Sequence, residues 1–227
     1  VAIQNAARYD LMEYKHLYEK KKLKADFTKN FYIPNFLCFG QFEIDHYKKL
    51  GVKVKNFFKV GSLRLANFFC YIKKNKIKLK KFSYDICLIC ETVPGWNYPV
   101  IRSIPAANYI FSEKNTENIE KGFANMVKFT IKFCMKHNMK LICAQKRDKK
   151  ITPEAYNKDI NFFKKYLTNN EFDFFISSSL EKKAEGYTSY AAMFQSKVVV
   201  GTTSTLLREN LAMGGKILSC NLLPTNI

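Results

Sequence analysis

The residues best suited to chemistry form a run near the end of the chain, where an apolar strand pattern gives way to hydroxyl side chains. The strand pattern covers residues 197–201, and a helix pattern covers 205–213. A helix N-terminus offers backbone N–H groups and the positive end of the helix dipole, so a phosphate fits there. The hydroxyls between the two patterns predict a phosphate site: Thr202, Thr203, Ser204 and Thr205. The alternative is that Thr203 or Ser204 only caps the helix.

Three residues around these hydroxyls extend the candidate site. Gly201 lets the backbone approach a ligand closely. Glu209 lies four residues after Thr205 on the same helical face, and its carboxylate can accept hydrogen bonds from ribose or sugar hydroxyls. Arg208 is a charge within an apolar run, which also favours a binding role. A surface ion pair between Glu209 and a nearby lysine is the alternative.

A second cluster of cations follows the strand pattern at 140–144. Lys146 and Arg147 come directly after it, where a parallel sheet binds its ligands. A cation there can neutralise the leaving phosphate of a nucleotide. The alternative is a solvated basic run that continues through Lys149 and Lys150.

The remaining candidates carry weaker signals. Trp96 lies in the loop 91–99, where it either stacks on a base or sugar ring or covers the core. The histidines are scattered, so none is assigned to catalysis and the catalytic residues stay unknown: His16, His46 and His137.

Strand and helix patterns alternate along the chain, which predicts an α/β fold of Rossmann type with parallel sheets covered by helices. Helices are predicted at 117–137, from 153 onward, and at 205–213. We expect 172–177, 197–201 and 216–220 to lie in one parallel sheet. Strand patterns occupy 1–4, 36–40, 57–61, 84–90, 140–144, 172–177, 197–201 and 216–220.

The segment 63–83 marks the predicted domain boundary, because it has no clear period and contains a lysine cluster at 73–81. It separates an N-terminal domain at 1–62 from a C-terminal domain at 84–227. The formal net charge is +19, which favours anionic partners. Most basic residues are Lys, whereas phosphate-binding proteins prefer Arg. The lysines therefore indicate a solvated surface, and we expect the 73–81 cluster to contact anionic membrane.

The seven cysteines are odd in number and mostly lie in apolar runs, which predicts reduced core thiols in the cytoplasm. Cys87 and Cys90 form a C-x-x-C pair, but their spacing sends them to opposite faces of a strand. No second pair has zinc spacing, so we expect no metal. No apolar run reaches the roughly 18 residues that a membrane span needs.

The segments 186–190 and 198–214 resemble the donor-site motif of bacterial GT-B glycosyltransferases of the surface carbohydrate biosynthesis group. That group is related to Kdo-transferase-like and glycerophosphotransferase-like enzymes. The start of the chain is similar to a Gln-Asn-Gly segment of the group, with Ala6 where Gly is usual. The segments 36–40, 47–52 and 57–62 resemble the end of an acceptor domain.

The resemblance implies a GT-B-like enzyme whose first domain is only partly contained in the chain. It would transfer a hexosyl or Kdo-type sugar from a nucleotide sugar to a glycan or lipid-linked acceptor of polysaccharide, lipopolysaccharide or capsule, without cofactor, at the inner face of the cytoplasmic membrane. The alternatives are a sugar-nucleotide epimerase and a non-enzymatic nucleic-acid-binding module, though nucleic acid is disfavoured. The predicted donor-binding residues are Gly201, Thr202, Thr203, Ser204, Thr205, Arg208, Glu209, Lys146 and Arg147.

Overall fold

The computed structural model divides the chain into two compact units, Val1–Tyr71 and Ile72–Ile227. The division lies inside the segment 63–83 that was predicted as a linker. This segment is not irregular throughout, because it begins with a helix at Leu63–Lys74 that buries Phe68. The residues that the structure describes are 2–3, 32–49, 52–90, 113–180, 186–202 and 204–220.

The first unit contains a parallel sheet of order β1-β2-β3. A small core of Phe36, Cys38 and Ile44 holds it together. The ring of Phe36 packs edge-on against Tyr47 and Phe57, with centroid distances of 4.9 and 6.0 Å. The two longer strands of this sheet begin four residues earlier than predicted, at Tyr32 instead of residue 36 and at Lys53 instead of residue 57. The elements are β1 (Ala2–Ile3), β2 (Tyr32–Cys38), α1 (Gln41–Lys49), β3 (Lys53–Lys59) and α2 (Leu63–Lys74), which crosses the division.

The second unit contains a parallel sheet of order β5-β4-β6-β7. Ser179 adds a one-residue parallel bridge to Cys143 of β5, on the side away from β4. Numbered along the chain, these segments follow the order 3-2-1-4-5 of a doubly wound, Rossmann-type sheet. The elements are β4 (Tyr84–Cys90), α3 (Glu113–Lys136), β5 (Leu141–Gln145), α4 (Pro153–Tyr166), α5 (Asn169–Ser177), α6 (Thr188–Phe194), β6 (Ser196–Gly201), α7 (Thr205–Ala212) and β7 (Lys216–Ser219).

The core of the second unit lies between this sheet and three of its helices. The last four residues of β4 and all five of β5 are buried, as expected for strands covered on both faces. The apolar face of α3 packs against them, with Phe123, Val127 and Ile131 fully buried. Phe163 of α4 and Phe175 of α5 complete the same cluster, with ring centroids 4.5 Å apart.

The prediction of a strand at 172–177 is wrong, because these residues belong to α5. A capping box starts this helix: the Thr168 hydroxyl accepts the N–H of Glu171, whose carboxylate accepts the N–H of Thr168. A short apolar run does not distinguish a strand from a buried helix, so the cap was the deciding signal. In this part of the chain, Ser179, which follows the helix, makes the contact with the sheet.

Candidate functional site

Parallel pairing brings the predicted site residues to one edge of the second sheet. Cys90 pairs with Gln145, and Gly201 pairs with Ser219, so the strands end at a common level. We call this the carboxyl edge and define it by residues 145–147, 179, 201–202, 204–205 and 219. The described members of both groups of predicted site residues, at 146–147 and at 201–202 and 204–205, therefore lie along the same edge.

The carboxyl edge includes the point at which the strand order reverses. From β4 the chain proceeds outward to β5 on one side, and later returns to β6 on the other side. Open α/β sheets bind ligands at such a switch point, outside the carboxyl ends of the strands. Since β5 and β6 both flank β4, their ends are roughly 10 Å apart. A ligand with several polar groups can span that distance.

Gly201 has a packing role in the second unit. A Cβ at this position would lie 3.3 Å from Cβ of Ile89 and 3.4 Å from Cδ1 of Leu207. The missing side chain therefore lets the start of α7 pack closely against β4. This is one of the purposes of glycine in dinucleotide-binding sheets, where it allows close contact between helix and strand.

The hydroxyl-bearing residues between β6 and α7 differ in their burial and hydrogen bonding. Ser204 is the buried N-cap, and its hydroxyl accepts the N–H of Leu206 at 3.4 Å. The carbonyl of Thr202 accepts a hydrogen bond from the Ser219 hydroxyl at 2.9 Å. Thr205, the first residue of α7, is half-buried. Thr203 lies outside the described residues.

Glu209 faces the interior one turn into α7. It is only 4% exposed, so its carboxylate is not on the surface. The helix is fixed nearby by Asn210, whose amide donates to the carbonyl of Lys216 at 3.2 Å. Arg208 is exposed. The carboxylate thus lies on the inner side of α7, in the same helical row as Thr205.

The end of β5 contains a polar pair that the sequence did not reveal. The Gln145 amide donates to the Ser179 hydroxyl at 2.8 Å, and that hydroxyl donates to the carbonyl of Phe175 at 2.8 Å. Gln145 is buried, so this pair links β5 to the neighbouring segment in the core. A glutamine at the end of an apolar strand, before two cations, was the available signal.

Lys146 and Arg147 follow this pair, and the structure distinguishes them. Lys146 is exposed, whereas Arg147 is half-buried. Among the described residues, no acceptor lies within hydrogen-bond distance of the buried Nε of Arg147. A buried N–H without an acceptor is costly, and an anion bound at this edge would remove that cost.

A turn built on Asp148 holds the segment that contains Arg147. The Asp148 carboxylate accepts the N–H groups of Lys150 and Ile151 at 2.7 and 3.1 Å. Its carbonyl accepts the hydroxyl of Thr152 at 3.1 Å. Aspartate commonly forms this type of turn. Because Thr152 makes this bond, it does not cap α4 with its side chain.

Comparison with known proteins gives one match. A sequence model of the family described as “putative O-antigen biosynthesis protein” matches residues 1–224. The chain belongs to this family. The match spans both compact units and all predicted donor-site residues. It supports a role in surface polysaccharide biosynthesis. No curated protein and no solved structure matches the chain.

The cysteines of β4, β5 and α3 in this O-antigen family protein are buried. Cys87 and Cys90 are free thiols with almost no exposure. The pKa of Cys87 is raised far above its usual range, mainly by burial and to a smaller extent by the nearby Cys90. Burial likewise raises the pKa of Cys134 to about 11. Thiols that stay protonated are poor nucleophiles and poor metal ligands.

The remaining candidates are described by their own surroundings or lie outside the described residues. His46 stacks on Phe42 within α1, and His137 packs against Phe133 at the opposite end of the sheet. Trp96, His16 and the loop 91–99 lie outside the described residues. Across the described ranges, no group of three or more His, Cys, Asp or Glu side chains could hold a metal ion. No helix in those ranges is long and apolar enough to cross a membrane.

Proposed function

We propose that the protein of this O-antigen family is a glycosyltransferase, and that the carboxyl edge of its second unit binds the nucleotide-sugar donor. One observation carries this proposal. The hydroxyl-bearing start of α7 and the half-buried Arg147, whose Nε is buried without an acceptor, lie on the two sides of β4, at the switch point of a doubly wound sheet. This arrangement suits a diphosphate, with a helix N-terminus at one end and a cation at the other.

The donor would contact three sets of side chains at or beside this edge. Thr203 and Thr205 would donate to phosphate oxygens beside the N-terminus of α7, whose dipole favours the negative charge. Arg147, with Lys146, would neutralise the phosphate that leaves. Glu209 would accept hydrogen bonds from hydroxyls of the ribose or the transferred sugar. Ser204 contributes mainly by capping α7.

The reaction that follows from this arrangement is transfer of a glycosyl group. An acceptor hydroxyl forms a new C–O bond to the anomeric carbon of the sugar. The bond between that carbon and the phosphate oxygen breaks, and the nucleoside diphosphate leaves with the electron pair. A base takes the proton of the acceptor hydroxyl. The residue that acts as base stays unassigned.

The remaining parts of the proposal follow from the resemblance to GT-B enzymes. The first unit would belong to the acceptor side, and the second would be the donor domain. The acceptor would be a growing surface glycan or its lipid-linked form, and the protein would act on the cytoplasmic side of the membrane. The family membership supports the glycan pathway but leaves the sugar and the acceptor open.

A thermal-shift screen against nucleoside diphosphates and nucleotide sugars tests the proposal. A ligand that binds only the folded protein raises the melting temperature. We expect stabilisation by at least one nucleotide sugar and by its nucleoside diphosphate. A response to a nicotinamide dinucleotide instead would favour the epimerase alternative, and a response only to nucleic acid would contradict both enzymes.

Two variants of α7 then separate ligand binding from capping. Thr205→Val keeps the shape of the side chain but removes a hydroxyl that would bond a charged group, worth about 1.5–3 kcal/mol. Donor affinity should fall about ten-fold or more in calorimetric titration, with an unchanged melting temperature. Ser204→Ala should lower folding stability by about 1 kcal/mol. Thr168→Ala, which removes the cap of α5, is the matched control that destabilises without touching the donor.

A further inference from the structure

The opposite edge of the second sheet is strongly basic. Because the strands are parallel, the segments that lead into them meet at the edge away from the candidate donor site. We call this the amino edge and define it by residues 76–83, 136–140, 195–197 and 213–216. These segments contain no Asp or Glu. Their lysines are all exposed: Lys76, Lys78, Lys80, Lys81, Lys136, Lys140, Lys197 and Lys216.

The carboxylates near this edge are already engaged. Asp85, at the start of β4, forms an ion pair with Lys197 at 2.7 Å and accepts the N–H of Lys140 at 2.8 Å. Glu171, in the first turn of α5, is buried within ion-pair distance of Lys128 and Lys132. In the described part of the chain, no further carboxylate forms an ion pair with a lysine of the amino edge. A positive surface therefore faces the solvent.

Two phenylalanines are exposed among these lysines. Phe82 is 63% exposed in the turn before β4, and Phe133 is 49% exposed at the end of α3. The Phe133 ring packs on His137 with a centroid distance of 4.6 Å. Exposed apolar side chains rimmed by polar residues are typical of protein–protein and membrane contact surfaces.

The backbone of Phe82 strengthens this interpretation. Its φ of +58° lies in the left-handed region, which a bulky side chain rarely adopts. Asparagine or glycine would fit this turn with less strain. The strain holds an aromatic ring outward, beside Lys80 and Lys81, where no core contact compensates for it. Strain retained at an exposed position points to a function outside the fold.

We propose that the amino edge docks on an anionic membrane surface, with the lysines facing lipid headgroups and Phe82 and Phe133 entering the interface. Lysines around exposed Phe are typical of interfacial protein surfaces, and a polybasic surface is attracted to anionic lipid. A second copy of the chain would bring the same positive charges together. Nucleic acid would favour Arg and aromatics on a strand face, which this edge lacks.

This docking would orient the proposed enzyme. The strands of the sheet are about 20 Å long, so the carboxyl edge would stand about that far from the lipid and open to solvent. A nucleotide sugar would reach it without crossing the docked surface. This orientation rests on the proposed function, whereas the docking itself does not.

Vesicle cosedimentation of the whole chain tests the docking. The protein should bind vesicles of equimolar phosphatidylcholine and phosphatidylglycerol, release as salt rises, and bind phosphatidylcholine alone weakly. Each lysine near such a surface contributes about five-fold. The variant Lys81→Gln with Lys136→Gln should therefore lose about 25-fold in partitioning. The charge-matched control is Lys149→Gln with Lys158→Gln, on exposed positions outside the amino edge, and it should bind like wild type.

Variants of the two phenylalanines test the apolar part of the membrane contact independently of the lysines. Phe82→Asn with Phe133→Gln should lower partitioning several-fold while keeping the preference for anionic lipid, since Asn suits the left-handed turn and Gln suits a helix. Ile151→Asn, an exposed apolar position in the turn after β5, is the control. Melting curves of all variants verify folding.

Equal binding to neutral and anionic vesicles would overturn the proposal, as would equal losses in the test and control variants. Binding to a single-stranded oligonucleotide without binding to vesicles would assign the amino edge to nucleic acid instead. A nucleotide-sugar response in the thermal-shift screen is independent of all these results. Failure of docking is therefore distinguishable from failure of the proposed function.

Discussion

The two edges of the second sheet differ in chemistry although the same four strands form both. At the carboxyl edge, several polar side chains are buried or half-buried, and Gln145 and Ser179 bond to each other. At the amino edge the lysines are exposed, and among the described carboxylates only Asp85 forms an ion pair with one of them. The formal charge of +19 is thus not what forms the candidate donor site. Fixed polar groups indicate a ligand site, whereas exposed charge indicates a surface contact.

The same difference appears in how the two edges are held. The carboxyl edge is fixed by short hydrogen bonds from Ser219 to Thr202 and from the backbone after β5 to Asp148. The amino edge is tied by Asp85, which joins the starts of three neighbouring strands through Lys197 and Lys140. Changes at the carboxyl edge should therefore alter ligand affinity, and changes at the amino edge should alter surface contacts and pH dependence.

The largest effect should come from Arg147→Ala. Loss of a hydrogen bond to a charged phosphate costs about 1.5–3 kcal/mol, so nucleoside diphosphate affinity should fall by ten-fold or more in calorimetric titration. The melting temperature without ligand should stay the same or rise, because a buried N–H without an acceptor is removed. Lys149→Ala, an exposed cation two residues later, should bind normally. Equal losses of affinity in the two variants would contradict a specific contact with Arg147 and would indicate general attraction between charges.

A smaller effect is expected from Gly201→Ala, and on stability rather than affinity. The new Cβ would lie 3.3 Å from Ile89 and 3.4 Å from Leu207, and such overpacking costs about 1–3 kcal/mol. Urea unfolding measures this loss. Gly40→Ala is the control, since its Cβ would be 3.8 Å from Glu43, an ordinary contact. A stable Gly201→Ala protein with lost nucleotide binding would show instead that the glycine serves the ligand.

The smallest effect should appear at Asp85. Hydrogen bonds from Lys197 and then from the Lys140 N–H lower the pKa of this carboxyl below its ordinary value of 3.8. Its stabilising contribution is therefore complete above pH 4 and is lost as the pH falls through the lowered pKa. Asp85→Asn should cost less than about 1 kcal/mol at pH 7 and should weaken the acid dependence of unfolding below pH 4. Asp173→Asn, on the exposed side of α5, should change neither; an unaltered acid profile in Asp85→Asn would contradict the assigned pairing.

Much of the second sheet could be predicted from sequence because its strands are long apolar runs between clear helix signals. The strand at 84–90 was located correctly, and so was the end of α7 before Gly214, whose φ is +78°. The strand at 172–177 failed because three Phe in six residues suit either element, and the Thr168–Glu171 cap was not weighed. Helix α2 was missed because its lysine-rich end obscured the period of its apolar residues.

The candidate site was predicted less completely than the fold. The hydroxyl run and the two cations could be located from the predicted strand ends and the predicted start of a helix. Because the strands are parallel, their carboxyl ends share one edge of the sheet, so these residues were expected to lie there together. Burial could not be inferred from the residue types. The structure shows that Glu209 faces inward and that Ser204 caps the helix. It also shows that Gly201 leaves little space between Ile89 and Leu207. The role of all these residues in donor binding stays a prediction.

A crystal structure of the protein with a nucleoside diphosphate that stabilises it distinguishes the two edges of the sheet, because both can attract phosphate. We expect the diphosphate at the carboxyl edge, with one phosphate beside Thr205 at the start of α7 and the other within hydrogen-bond distance of Arg147. A diphosphate bound to the lysines of the amino edge, or to the first unit, with the carboxyl edge empty, would contradict it.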